Sequence, residues 1–405
     1  MEILLYTIVF LLLLVVSNVT NRFLPQLPLP LVQIVLGISL GFILPQEKFH
    51  LDTELFLALV IGPLLFREAE ESNITSILKH WRIVLYLIFP VIFISTVGLG
   101  YLAHLLWGAL PLAACVAVGA ALGPTDLVAF ASLSERFTFP KRISNILKGE
   151  GLLNDASGLV AFRVALLAWT TGSFSLGKAS ISLVLSIIGG FAIGMLSAGL
   201  NRWLHKLLMS AQVSDIASEL LLELSLPLVT FFLAEEIHVS GIIAVVVAGI
   251  FKASRFKRIT LLEAQVDSVT ETIWNTVNFM LNGSVFIILG MELEMIAEPI
   301  LKSPIYDNLL LLLSIVLLTL LLFALRFVML FTFYFIRIRR LHKNVGNYLK
   351  EMLLLTFSGV KGTVSIATIL LIPSQLEQDH PLLLFLVAGV TFLSFLTGLL
   401  TLPHL

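Results

Sequence analysis

Apolar residues in this chain come in long runs. They do not alternate as in a half-buried strand, nor recur at three- and four-residue spacing as in a helix with one wet face. Thirteen such stretches lie at about 3–19, 28–45, 53–67, 83–107, 110–133, 143–170, 178–204, 217–234, 239–253, 271–297, 304–336, 351–372 and 381–403. A helix of about 20 apolar residues crosses the hydrocarbon core of a bilayer, and within that core only helices and closed barrels satisfy every backbone polar group. The pattern therefore predicts an all-α polytopic membrane protein with 13 transmembrane helices. The start, Met1-Glu2 followed by an apolar run from Ile3, lacks the basic segment and small-residue cleavage site of a secretory leader, so it reads as the first membrane helix.

Composition agrees and narrows the field. Of 405 residues 58% are hydrophobic and only 13% charged, which excludes a water-soluble globule. With 25 basic against 26 acidic residues no basic field draws the chain to nucleic acid. A lone cysteine, Cys115, can make no internal disulfide. Nothing in the sequence calls for a cofactor. The basic residues also give an orientation. Nineteen of the 25 fall in connections after odd-numbered stretches, among them Arg142, Lys252 and Arg255, and three after even-numbered ones, Lys48, Lys178 and Lys302. Cytoplasmic connections collect Lys and Arg, so the N-terminus is expected outside and the C-terminus in the cytoplasm of a cell (inner) membrane protein. The sequence ends directly after the last stretch, and a cytoplasmic regulatory tail is not expected.

Six ionisable residues sit well inside the stretches: Asp126, Glu150, Asp155, Arg163, Arg326 and Lys361. Charges at such depth are costly and mark ion or proton pathways or internal pairs, and a short carboxylate cannot reach the headgroups from there. The segment Gly123-Pro124-Thr125-Asp126 puts a helix breaker directly before a hydroxyl and a carboxylate, and Gly359-Val360-Lys361-Gly362 offers a similar break. Irregular backbone at membrane depth persists only where protein or a wet cavity satisfies it, so two breaks point to a midplane site framed by helix ends. In Gly149-Glu150-Gly151-Leu152-Leu153-Asn154-Asp155, at about 100° per residue, Glu150 and Asn154 share a face and Asp155 looks elsewhere. Of the other polar residues, Glu219 and Glu223 read as an acidic funnel or an interface. Glu292 and Glu294 are expected to meet water on the outer side, and His205 to lie at the membrane interface. Arg326 needs an acidic partner, for instance Glu68 near the cytoplasmic side, but the sequence does not settle which.

Together, Pro124-Thr125-Asp126, Gly149-Glu150 with Asn154-Asp155, and Gly359 with Lys361-Gly362 and Ser365 resemble the monovalent cation:proton antiporter-1 family of bacterial and archaeal sodium/proton antiporters and animal sodium/proton exchangers. Pro63-Leu64-Leu65-Phe66 through Trp81, and Asn282-Gly283 to Gly290, extend the resemblance over nearly the whole chain. It implies a homodimer in the lipid bilayer, built on inverted repeats with two broken, crossing helices. A dimerisation domain (mainly 1–82 and 207–303) and a core transport domain (mainly 83–172 and 304–405) would be joined by a linking helix, 173–206. By motif position Asp155 binds the cation or the proton, Thr125 (through its backbone carbonyl) and Asp126 coordinate the cation, and Asn154 with Glu150 brace the site. Lys361, Arg326 and Ser365 support it. Lys361 stands where the family commonly has an arginine paired with the Glu150 equivalent. Gly151 stands for a frequent serine, and Leu127 for a proline or alanine.

The expected activity is antiport of Na+ or Li+ against H+ by alternating access. One carboxylate is neutralised by either guest and never by both. Asn154 in place of a second acid resembles the branch that exchanges one cation for one proton. K+/H+ antiport on the same fold, a passive channel and an intramembrane aspartyl protease are the competing readings; no other enzyme motif is present.

Overall fold

The computed structural model describes residues 2–24, 27, 29–43, 53–72, 77–134, 137–171, 176–211, 215–253, 261–303, 306–341, 346–372 and 380–405. Among them are fifteen helices of eight residues or more and no strand. In chain order they are α1 (Glu2–Phe23), α2 (Leu29–Ile43), α3 (53–71), α4 (Trp81–Leu106), α5 (Leu112–Leu122), α6 (Leu127–Ser134), α7 (Lys141–Thr171) and α8 (Leu176–Ser210). There follow α9 (Ile216–Glu236), α10 (Gly241–Ala253), α11 (Leu261–Lys302), α12 (Asn308–Leu341), α13 (Gly346–Phe357), α14 (Thr363–Leu370) and α15 (His380–Thr401). Each apolar stretch falls on one helix or, twice, on an interrupted pair, α5–α6 and α13–α14. Among the described residues five segments are long and apolar enough to cross a membrane: Trp81–Leu106, Val184–Ser210, Ile216–Glu236, Asn308–Ile336 and His380–His404. The molecule is an all-helical membrane protein.

Local chemistry explains the irregular turns. Pro90 has no N–H to continue an α-helical ladder, and α4 takes it up in a π turn, Leu87–Val91. α9 begins at Asp215, whose carboxylate accepts the Ser218 N–H at 3.0 Å. The Ser218 hydroxyl, and after it this N–H, hold the Asp215 carboxyl below its ordinary value.

The chain divides into two compact units. One comprises residues 1–50, 75–175 and 286–405 and the other residues 51–74 and 176–285. In the first, α4 and α5 pack almost backbone to backbone, because a Cβ on Gly119 would overlap the Thr96 carbonyl and one on Gly100 would press on Val116. α2 lies as closely on the last third of α11, with Gly37 over Ile287 and Gly41 over the Glu294 side chain. Glu292 and Glu294 are therefore buried, at 8% and 6% exposure, where the sequence placed them in water. The reason is that the helix continues to Lys302, and α2 covers it at Ile287, Gly290 and Glu294.

The second unit holds the other acids that the sequence left open. Glu219 on α9 pairs with His205 on α8. Glu223, one turn further on, pairs with Lys252 of α10 at 2.6 Å and accepts the Trp274 indole N–H at 3.1 Å. Lys252 also reaches Glu70 of α3 at 3.1 Å, and Glu70 is held by Arg67 at 2.9 Å. Among the described residues each acid joins helices, and His205 shares the first of these joints.

Candidate functional site

The first unit contains the two interruptions, and they meet. Between α5 and α6 residues 123–126 leave the helix, and between α13 and α14 residues 358–362 do the same. Pro124 forces the first break, since its ring cannot donate to the carbonyl one turn earlier. The two irregular segments are joined directly: the Asp126 N–H donates to the Val360 carbonyl at 3.0 Å. Glycine makes that approach possible, because a Cβ on Gly362 would coincide with the Asp126 carboxylate.

Asp126 is 3% exposed and caps α6, its Oδ1 accepting the Ala129 N–H at 3.0 Å. A carboxylate at that helix start also meets the positive end of the helix dipole. Lys361 is the counterpart on the other break. Its Nζ donates to the carbonyls of Gly123 and Pro124 at 2.8 and 2.6 Å, which places a cation on the carbonyls that the end of α5 leaves unused. The Lys361 N–H is bonded to Ser394 Oγ of α15 at 3.1 Å.

Glu150 and Asn154 come from α7, one turn apart as their spacing predicts. Thr125 lies between them and the break. Its hydroxyl donates to Glu150 Oε1 at 2.9 Å and accepts from Asn154 Nδ2 at 2.8 Å, whereas the direct Asn154–Glu150 contact is longer, 3.5 Å. The shared face brings Asn154 toward Glu150 as the spacing predicts, and the threonine hydroxyl carries most of the link between them. Both Glu150 oxygens are taken by Arg326 of α12, Nη1 at 2.6 Å and Nη2 at 2.7 Å, in an end-on fork. Arg326 Nε donates to the Leu355 carbonyl near the end of α13 at 2.9 Å, and a Cβ on Gly359 would occupy the space of the guanidinium. Glu150 and Arg326 are 1% and 3% exposed.

Two expectations change here. The base on Glu150 is Arg326, not a residue at position 361, so the acid on Arg326 is Glu150 where the sequence suggested Glu68, and Lys361 serves carbonyls. A planar fork fits a carboxylate bidentately, while an ammonium is a compact point donor that can bridge two carbonyls. Ser365 is buried in the first turn of α14, where its N–H donates to the Gly362 carbonyl at 3.2 Å. Position 155 continues α7 directly after Asn154; the Asp155 side chain lies outside the described residues. Arg163 is exposed on the same helix.

Several participants escaped the sequence reading. The carbonyls of Val360 and Leu355 carry no side-chain signature. Ser394 did: it is one of a few hydroxyls in a mostly apolar helix, and its Oγ donates to the Thr391 carbonyl at 2.9 Å. The Asn154 side-chain oxygen is buried and takes no hydrogen bond among the described residues. The crossing thus gathers two acids, two bases, two hydroxyls and an amide, all buried, with one amide oxygen taking no bond among the described residues.

Against known proteins, the profile described as "Sodium/hydrogen exchanger, transmembrane" matches residues 8–405. A protein of Bacillus pumilus named "Sodium, potassium, lithium and rubidium/H(+) antiporter" is 36% identical over 412 residues, covering 100% of this chain and 61% of its own length. Its namesake in Bacillus subtilis is 36% identical, with 100% and 62% covered. An Escherichia coli protein named "Uncharacterized Na(+)/H(+) exchanger YjcE" is 33% identical, with 100% and 76% covered. The chain therefore spans about three fifths of the two Bacillus relatives. Among solved structures, the sodium proton antiporter MjNhaP1 of Methanocaldococcus jannaschii at pH 8 shares the fold, with TM-score 0.71 at 17% identity over 100% of this chain and 97% of that one.

Proposed function

Because the chain belongs to the sodium/hydrogen exchanger family, we propose that it is a secondary antiporter. On this reading it exchanges Na+ or Li+ for H+ across the cell membrane, one for one, by alternating access. The observation that carries the proposal is the crossing itself. Two interrupted helices bring buried charges together at a point where backbone carbonyls and side-chain oxygens are within reach, and hard monovalent cations favour such oxygens.

In this reading Asp155 is the carboxylate for which cation and proton compete. The backbone carbonyl of Thr125, the Asp126 carboxylate and the spare Asn154 oxygen complete the cation's shell. Glu150, Arg326, Lys361 and Ser365 hold the frame. Glu150 balances Arg326, and Asp126 balances Lys361, so an ionised Asp155 leaves one negative charge. Either one Na+ or one proton cancels it. Moving the bare carboxylate through the membrane interior is costly, so the site crosses only when filled, and this makes exchange obligatory. A transporter family favours this reading over an intramembrane protease or a passive channel. We further propose thirteen membrane spans with the N-terminus outside, and a homodimer formed mainly by residues 1–82 and 207–303, with 83–172 and 304–405 as the transporting core and 173–206 as the link.

A second reading, K+ as the exchanged cation, is favoured by the relatives at 36% identity, whose names include potassium and rubidium. Vesicles containing the purified protein and a pH-sensitive dye separate the two readings when Na+, Li+, K+ and Rb+ are added in turn. Asp155→Asn is expected to abolish cation-driven proton flux. Retained flux in that variant refutes the assignment of the carboxylate.

A further inference from the structure

The three helices that meet at the Glu150–Arg326 fork are tied together a second time, and neither the family resemblance nor the proposed ion path uses that tie. At the first level α7 contributes Glu150, α12 contributes Arg326 and α13 contributes the Leu355 carbonyl. Eight residues away along α7 is Arg142, eight residues away along α12 is Tyr334, and four residues away along α13 is Glu351. These three also touch. Arg142 Nη1 pairs with Glu351 Oε2 at 3.0 Å, and the hydroxyl of Tyr334 donates to Glu351 Oε1 at 2.8 Å. Tyr334 is fully buried, while the Arg142 and Glu351 side chains are 34% and 15% exposed. The second level reverses the charges on α7, which carries the acid at the first level and the base at the second.

We propose that Glu351, held by Arg142 and Tyr334, is a positioning residue for the ion site, an inference that rests on the exchanger reading above. The argument is mechanical. α13 has only 12 residues, and its far end delivers the irregular segment that carries the Val360 carbonyl and Lys361. One anchor, the Leu355 carbonyl on Arg326, leaves this short helix free to turn and slide about that point. A second anchor one turn away, about 6 Å along the axis, removes that freedom. The rotation and height of α13 then fix where Val360 meets Asp126 and where the Lys361 ammonium meets the end of α5. The pair is partly solvated, so it can open without unfolding the core. It is also screened by salt, unlike the buried fork.

The test uses the full chain in two formats. In detergent, hydrogen exchange is followed at the peptide containing Asp126, whose amide is bonded to Val360. In vesicles, the half-saturating Na+ concentration of proton flux is measured. In Glu351→Gln and Arg142→Gln, exchange at Asp126 is expected to speed up about two- to fivefold and the half-saturating Na+ to rise by a similar factor, the scale of one partly exposed ion pair. Tyr334→Phe, which keeps the ring, is expected to act in the same direction. The reversed pair, Arg142→Glu with Glu351→Arg, is expected to restore both values to within about twofold. Unchanged protection at Asp126 in Glu351→Gln overturns the inference. So does faster exchange spread evenly over all helices, which marks the pair as a general staple. Absence of cation-driven flux in the unaltered protein instead sinks the exchanger reading, and the exchange measurement still decides whether the anchor sets the crossing.

Discussion

The Glu150 carboxylate is buried but compensated: it accepts two bonds from the guanidinium of Arg326, one from the Thr125 hydroxyl and a longer one from Asn154. A pair of this kind adds little net stability over an apolar pair of equal volume, but breaking it from one side is expensive, since the survivor stays buried and uncompensated. Glu150→Gln is therefore expected to lower the unfolding free energy by about 3–5 kcal/mol, read from denaturant titration in detergent. Glu150→Gln combined with Arg326→Gln is expected to lower it by clearly less, because no lone charge remains. Equal losses in the single and double variants would show that the fork, not charge compensation, is what the fold requires. The role of Arg326 was legible in the sequence only as a need, a base at membrane depth lacking a partner. Its partner lies 176 residues away along the chain, and no local spacing encodes a contact of that range.

At the scale of elements, the interruptions matter more than the helices. Gly359 sits where a side chain would occupy the position of the Arg326 guanidinium, so Gly359→Ala must displace either α13 or the fork. It is expected to reduce both the thermal midpoint and cation-driven flux. Gly199 in α8 supplies the control, since a Cβ there meets nothing within 4 Å. Gly199→Ala in this helical position is expected to raise stability by about 0.5–1 kcal/mol, as loss of backbone freedom in the unfolded chain predicts. A stabilising Gly359→Ala would mean the guanidinium has room to move. The breaks themselves were legible in the sequence: Gly123-Pro124 and the glycines flanking Val360-Lys361 cannot continue a helix cheaply, and charges next to them have no other use at that depth. The helices were legible for an equally physical reason, the length that an apolar stretch needs to satisfy its own backbone across a bilayer. The burial of Glu292 and Glu294 was not, because two acids near the end of a stretch look wet until α2 is seen packed on that part of α11, with Gly41 against Glu294. Nor was the assignment of Lys361. One-dimensional spacing tells that a base lies near a carboxylate in the next interruption. It does not tell that an ammonium fits two carbonyls better than a fork already filled from α12.

For the whole molecule, the charge inventory at the crossing makes a statement about energy coupling. With Glu150 set against Arg326 and Asp126 against Lys361, the proposed site carries one unbalanced charge, that of Asp155, whichever way it faces. Filled with one Na+ in one direction and one proton in the other, it is neutral in both crossings, and a full cycle moves no net charge. Membrane potential then does no work on the cycle. An antiporter moving one extra charge per cycle would gain about 2.3 kcal/mol per 100 mV, close to a fiftyfold change in the gradient it can sustain. Vesicles preloaded with Na+ and clamped with a potassium ionophore at zero or about 100 mV offer the comparison. The pH gradient at steady state is expected to be the same within about twofold at the two voltages. A gradient that follows the voltage by an order of magnitude would mean that a second titratable group joins the cycle, and Asp126, the other carboxylate at the crossing, would be the first to neutralise by Asp126→Asn. If the voltage dependence disappeared in that variant, the balance drawn between Asp126 and Lys361 would be the step in error, since a carboxylate that trades its proton each cycle cannot also serve as fixed compensation for the lysine.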